Sequence, residues 1–261
     1  MFSFPAVSYK SLEFTFAGFS AKIYLSLTDK YIFMKRIILK ITGEAFSQTG
    51  QGLNHLAVAE LAGAIKRLVN QGYWLGIVNG GGNLVRGRTA KNLTDHLRLD
   101  YLGLAATVKN GLALEQSLLK LGIKAKLLVA APYKNYLVFD GKKVAGYFKQ
   151  YQAVIMAGGT GLPFFSTDTA AVLRALQLGI TTIWKASNVA GVYSADPKKN
   201  LKAKLLPRLS LDSAIDHRYA VVDQAALALS LEYKVCWRIF KYSADNLVKV
   251  GRGQKFGSLI K

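Results

Sequence analysis

From residue 35 onward, short runs rich in β-branched residues alternate with longer stretches whose apolar residues recur at helical spacing, and glycines mark the joins. The runs 36–41 (RIILKI), 74–78 (WLGIV), 125–129 (AKLLV), 153–157 (AVIMA), 181–185 (TTIWK) and 235–240 (VCWRIF) predict strands. Residues 55–69 predict a helix, with Leu56, Ala59, Leu61, Ala64, Ile65 and Leu68 on one side and Gly72 as the stop. The stretches 99–121, 169–178 and 221–231 carry the same pattern. Strands that are apolar almost throughout, each followed by a helix, imply an α/β protein with a mainly parallel sheet covered on both faces. Ligands in such sheets bind at the carboxyl ends of the strands.

Residues 1–33 stand apart, rich in Phe, Tyr and Ser with no clear period. Met34 directly precedes the first strand, which suggests that translation starts there and that the domain is residues 34–261. The alternative is a genuine extra segment that packs on the domain or at an oligomer interface.

Composition narrows the class. Hydrophobic residues make up 51% of the 261 and charged residues 19%, enough for a core and incompatible with a disordered or collagen-like chain. The single cysteine, Cys236, has no internal disulfide partner, and His55, His96 and His217 lack zinc or haem spacing. The long uncharged run 151–167 is broken by Gly158, Gly159, Gly161 and Pro163, so it does not span a membrane. Lys10 and Glu13 interrupt what would be the apolar region of a signal peptide, and a cytoplasmic location is expected. The net charge of +20 invites a nucleic-acid reading. Its lysines and arginines are dispersed, however, with short clusters such as Lys198-Lys199 near Pro197. A generally basic surface that attracts anionic small molecules accounts for them, and only non-specific association with nucleic acid is expected.

Two glycine-rich turns fall where strands should end: Gly80-Gly81-Gly82-Asn83 with Arg86, and Gly158-Gly159-Thr160-Gly161 followed by Pro163, Thr167 and Asp168. Such turns expose backbone N–H groups to an anion without side-chain obstruction, and two of them suggest two phosphate-bearing ligands. Two tight strand–helix turns without a ligand would look the same. The run from Gly82 to Thr89 misses the P-loop pattern because Arg88 replaces its lysine, and neither turn completes G-x-G-x-x-G. Lys40 and Lys185 lie inside strands, where an ammonium group either snorkels to the surface or meets a negative charge. Asp168 is placed to hold both, or to cap the helix that follows.

Taken in order, Lys40-Ile-Thr-Gly-Glu44, Gly80-Gly-Gly-Asn-Leu-Val-Arg86, Ala157-Gly-Gly-Thr-Gly-Leu-Pro-Phe-Phe-Ser-Thr-Asp168 and Lys185-Ala-Ser-Asn-Val-Ala-Gly-Val-Tyr-Ser-Ala-Asp196 resemble the bacterial uridylate kinases of the amino acid kinase superfamily. The glycine blocks indicate the superfamily, and the G-T-G-x-P-F-F-[ST]-T-D block points to the UMP-specific branch. The resemblance implies a three-layer αβα sandwich, a homohexamer, and transfer of the γ-phosphoryl group of Mg-ATP to UMP. It assigns Lys40, Ile41, Thr42, Gly43, Gly82, Arg86, Ser187, Tyr193 and Asp196 to ATP. It assigns Gly81, Thr160, Gly161, Leu162, Pro163, Phe164, Phe165, Ser166 and Thr167 to UMP. Asp95-His96 superficially copies the family's acidic ribose contact, but counting back from Ala106-Thr-Val-Lys-Asn-Gly111 places it at Asp100.

Phosphoryl transfer asks for positioning and charge stabilisation rather than covalent chemistry. The implied catalytic set is Lys40, Lys185, Asp168 and Arg86, with Mg²⁺ brought by ATP and no separate protein metal site. Asp223 matches another acidic position of the family and reads equally well as a helix-start residue. The chain departs from the family pattern at Leu162, Ala190 and Lys241. The loop 47–52 is shorter than in members whose GTP activation uses that region, whereas UTP is expected to inhibit at the UMP site. A non-catalytic nucleotide- or oxyanion-binding protein on the same fold is the alternative.

Overall fold

The computed structural model describes residues 9–16, 19–26, 35–85, 92–197 and 199–261. The chain divides into two units, Met1–Lys35 and Arg36–Lys261. In the first, β1 (Tyr9–Phe16) and β2 (Phe19–Ser26) pair as an antiparallel hairpin with Tyr9 opposite Ser26. This corrects the reading of the segment as patternless. Leu12, Phe14 and Phe16, then Phe19, Ala21, Ile23 and Leu25, alternate with mostly polar residues at the period of two that a strand needs.

The second unit is built on a nine-stranded sheet. Its strands are β3 (Lys35–Ile41), β4 (Tyr73–Asn79), β5 (Ala125–Val129), β6 (Leu137–Val138), β7 (Ala153–Ala157), β8 (Thr182–Ser187), β11 (Arg208–Leu209), β12 (Cys236–Lys241) and β13 (Ser258–Ile260). Their order is β11-β13-β12-β8-β3-β4-β7-β5-β6. β8, β3 and β12 run parallel, as do β4, β7 and β5, while β12 meets β13 antiparallel. Two short strands, β9 (Val192–Tyr193) and β10 (Leu205–Leu206), form a separate antiparallel pair.

Each expected strand is present within two residues at either end. The helices are α1 (His55–Asn70), α2 (Leu93–Lys120), α3 (Val144–Gln150), α4 (Thr167–Gln177), α5 (Leu211–Asp216), α6 (Gln224–Glu232) and α7 (Ala244–Gly251). α2 starts six residues earlier than its apolar pattern, because Asn92 accepts from the Asp95 amide and caps a polar first turn. α6 starts three residues later, because Asp223 is its cap. The elements β6, β9, β10, β11, β13, α3, α5 and α7 are too short for periodicity to reveal.

Alternation along the strands assigns the two faces. Ile37, Leu39, Ile41, Leu75, Ile77, Ile155 and Ala186 pack into one core with Leu61, Ile65 and Leu68 of α1, Leu114 of α2 and Leu247 of α7. The intervening positions, including Ile38, Lys40, Val154 and Lys185, belong to the face on which α4 and α6 pack. The three-layer αβα arrangement therefore puts both strand lysines beneath α4.

Candidate active site

β3 and β8 are neighbours, and their register sets Lys40 directly opposite Lys185. Two ammonium groups at adjacent positions of a covered sheet repel one another and lose water, so a carboxylate must lie between them. Asp168, in the first turn of α4, is that group. Its Oδ1 lies 2.9 Å from Lys40 Nζ, and its Oδ2 accepts from Lys185 Nζ, which also donates to the Val221 carbonyl. Lys40, Lys185 and Asp168 are 9%, 6% and 6% exposed, which excludes snorkelling. The cap of α4 is Ser166, whose Oγ accepts from the Asp168 amide at 2.9 Å, so the Asp168 carboxylate is spared for the lysines.

Burial pushes the Asp168 carboxyl up, but the two ammonium groups beside it outweigh burial and hold it down at about 2. Burial lowers the Lys185 ammonium to about 8 against the opposing pull of Asp168. Asp168 thus stays ionised, and Lys185 stays charged up to mildly alkaline pH.

The cluster lies in the wall of a cavity of about 560 Å³ that also takes in Thr42, Ser187, Arg218 and Asp223. Asp223 accepts from the Ser166 and Thr169 hydroxyls and from the Ala226 amide, tying the starts of α4 and α6 together. Beside this cavity, a smaller one of about 130 Å³ is lined by Gly81, Gly82, Asp100, Leu162, Phe165 and Thr167. Of the residues assigned to UMP, Gly81, Asp100, Leu162, Phe165 and Thr167 line it, together with Gly82 of the ATP set, while Ser166 lines the larger cavity. Lys40, Thr42 and Ser187 of the ATP set line the larger cavity.

The glycine turns close on one another. Gly80 N donates to Ile41 O at 2.8 Å, joining the ends of β4 and β3. A Cβ on Gly43 would sit 2.6 Å from Gly82 N, and one on Gly81 would sit 2.7 Å from Gly103 O, so both positions require glycine. Gly82 faces open space. In the second turn Gly158, Gly159 and Gly161 all have positive φ. Thr160 Oγ1 accepts from Leu162 N, and Pro163 is half-buried. Phe164 also adopts a positive φ, 66°, and donates its amide to Asp100 Oδ2 at 2.7 Å. Asp100 therefore holds the loop that carries the acceptor residues, while Asp95 is not in the cavity wall.

Some assigned residues lie elsewhere. Ile41 is fully buried in the core and contributes its carbonyl. Tyr193 and Asp196 sit on and after β9, outside the lining of the larger cavity. Arg86 lies outside the described residues.

Sequence reading missed the brace behind the turns. Asn110 on α2, fully buried, donates to Gly80 O at 2.9 Å and to Asn83 Oδ1 at 2.7 Å. Thr107, one turn earlier, accepts from Gly158 N at 2.7 Å. One helix face thus fixes both glycine turns. The signal was available as two polar residues on the apolar side of a helix, beside Leu114 and Gly111.

The amino acid kinase family matches residues 35–240. A uridylate kinase from Methylococcus capsulatus is 38% identical over 230 residues, covering 87% of this chain and 96% of that protein. The crystal structure of UMP kinase from Bacillus anthracis superposes with a TM-score of 0.80 at 29% identity, covering 87% of this chain and 96% of that one. The crystal structure of UMP kinase from Ureaplasma parvum does so with a TM-score of 0.79 at 31% identity, covering 87% and 99%. Shared architecture, near-complete coverage of these relatives and the paired-lysine site agree: the chain belongs to the amino acid kinase family, among its uridylate kinases.

Proposed function

We propose that the chain transfers the γ-phosphoryl group of Mg-ATP to UMP, forming ADP and UDP in pyrimidine nucleotide biosynthesis. The observation that carries this reading is the buried Lys40–Asp168–Lys185 cluster, set in the wall of a large cavity with a smaller one beside it. The donor's phosphates occupy the larger cavity, against Lys40 and Thr42; Gly82, in the wall of the smaller cavity, and Arg86 complete the donor set by the family resemblance. Ser187, Tyr193 and Asp196 hold its nucleoside. UMP occupies the smaller cavity, its ribose at Asp100 and its phosphate against Gly81 and the residues from Thr160 to Thr167.

The UMP phosphate is already an anionic nucleophile, so the reaction requires no general base. Lys40 and Lys185 neutralise charge on the transferring group and on the leaving β-phosphate, and Asp168 keeps both ammonium groups aimed without reorganisation. The N–H groups of the two glycine turns hold donor and acceptor phosphates in line. The carboxylates lining the larger cavity are engaged, Asp168 by the lysines and Asp223 by hydroxyls and a helix amide. Mg²⁺ therefore enters as part of the Mg-ATP substrate, where it offsets phosphate charge.

The catalytic unit is residues 34–261, the assembly is a homohexamer, the location is the cytoplasm, and UTP inhibits by occupying the UMP site. Among the described residues no helix is long and apolar enough to cross a membrane. The test is ADP formation with Mg-ATP and a panel of UMP, CMP, dUMP, AMP, carbamate and N-acetylglutamate. Strong selectivity for UMP is expected. Turnover with another acceptor, or with none, removes the reading. A protein beginning at Met34 should match the full chain in rate and in assembly by light scattering.

A further inference from the structure

The helix α5 ends, as α6 does at Lys234, through a cationic residue in the left-handed region. Arg218 N donates to Ile215 O and Tyr219 N to Ala214 O, the paired bonds that close a helix through a residue in the left-handed region. That residue is Arg218, with φ 49°. The position favours glycine because a Cβ crowds the following carbonyl, so a long cationic side chain there is conformationally costly. Other features hold the turn in place. The His217 and Tyr219 rings stack on either side of Arg218 in sequence, 5.4 Å apart and 5° from parallel. Three residues on, the Val221 carbonyl accepts from Lys185 Nζ. The turn is thus anchored directly to a site lysine.

Arg218 is exposed, lines the same cavity as Lys40, Thr42 and Lys185, and makes no ion pair among the described residues. Two lysines set against Asp168 and Asp223 leave no net positive charge for a polyphosphate that carries several negative ones. Asp223, the other carboxylate of the cavity, is taken up by hydroxyls and by the α6 amide. A guanidinium on a fixed turn is suited to two oxygens of one phosphate. The cavity it lines holds Lys40, Thr42 and Ser187 of the donor set and only Ser166 of the acceptor set, whereas Asp100 and Gly81 line the other cavity.

We infer that Arg218 binds the phosphates of the donor nucleotide, and that a strained helix end is tolerated because it delivers this side chain to the cavity. The inference rests on the kinase reading above and adds a donor contact to it.

The decisive variant is Arg218→Gly, because glycine relieves the backbone while removing the cation. The Michaelis constant for Mg-ATP should rise roughly tenfold or more, that for UMP should stay within twofold, and the unliganded protein should melt no lower than wild type. Arg218→Lys should recover part of the ATP affinity, and Arg218→Asn, also tolerated at positive φ, serves if glycine loosens the turn. Wild-type ATP kinetics in a well-folded Arg218→Gly or Arg218→Asn protein would overturn the inference and leave Arg218 as a helix terminus only. If wild type itself fails to phosphorylate UMP, the kinase reading falls first, so the two failures are distinguishable.

Discussion

Replacing Asp168 by Asn tests the central arrangement most directly. The change keeps the shape of the side chain and removes the charge that two ammonium groups share, one at 2.9 Å and one in direct hydrogen-bond contact. All three residues are more than nine-tenths buried, so water cannot replace the lost partner. Breaking a buried pair by removing one member costs about 3–5 kcal/mol, which for a domain of this size lowers the melting midpoint by roughly 6–20 °C. The loss depends on pH in a defined way. The Asp168 carboxyl is held at about 2, below its ordinary 3.8, so its stabilisation is complete above pH 4 and is lost as pH falls toward 2. In the variant Lys185 lacks that partner and sheds its proton at lower pH, so the gap between wild type and variant narrows as pH rises toward about 8 and is constant above it. Melting both proteins at one concentration from pH 2.5 to 9.5 checks both limbs. The double variant Asp168→Asn with Lys185→Met should regain much of the stability and none of the turnover. A midpoint change under about 3 °C, or one independent of pH, would refute the reasoning.

Because burial sets Lys185 near 8 in the unliganded protein, wild-type kcat/KM should fall along an alkaline limb with that midpoint, and Lys185→Arg should push the limb beyond the measured range. Over the same interval the unfolded lysine binds more protons than the folded one, so wild-type stability should rise between pH 8 and 10, read from urea midpoints. Gly43→Ala places a Cβ 2.6 Å from Gly82 N and should abolish turnover with a lowered melting midpoint, whereas Gly82→Ala, facing open space, should fold normally and raise the Michaelis constant for ATP. Asp100→Ala removes the acceptor for the Phe164 amide and should raise the Michaelis constant for UMP far more than that for ATP, at a stability cost of about 1 kcal/mol by chemical denaturation.

The six long strands and the four long helices were legible in the chain because each satisfies its own period: a fully buried strand is apolar throughout, and an amphipathic helix repeats every three to four residues. The two glycine turns were legible for a similar reason, since positive φ and backbone contacts as short as 2.6 Å leave no room for another residue. The first hairpin escaped although its strands are eight residues long, because few of their residues are β-branched and no helix follows either strand to mark the alternation seen in the rest of the chain.

What the sequence could not supply is adjacency. Lys40 and Lys185 are far apart in the chain and become neighbours only because β3 and β8 pair in one register, and a shift of one residue would turn one lysine to the other face. The role of Asp168 as a bridge follows from that pairing and from Ser166 taking over the cap. Asn110 and Thr107 read as helix residues until packing buries them against the two turns. Arg218 lies in an unremarkable stretch of sequence, and only the end of α5 puts it at positive φ in the wall of the cavity. Local periodicity is a property of consecutive residues, and the chemistry of this site comes from residues that only the folded sheet and its covering helices bring within hydrogen-bonding distance.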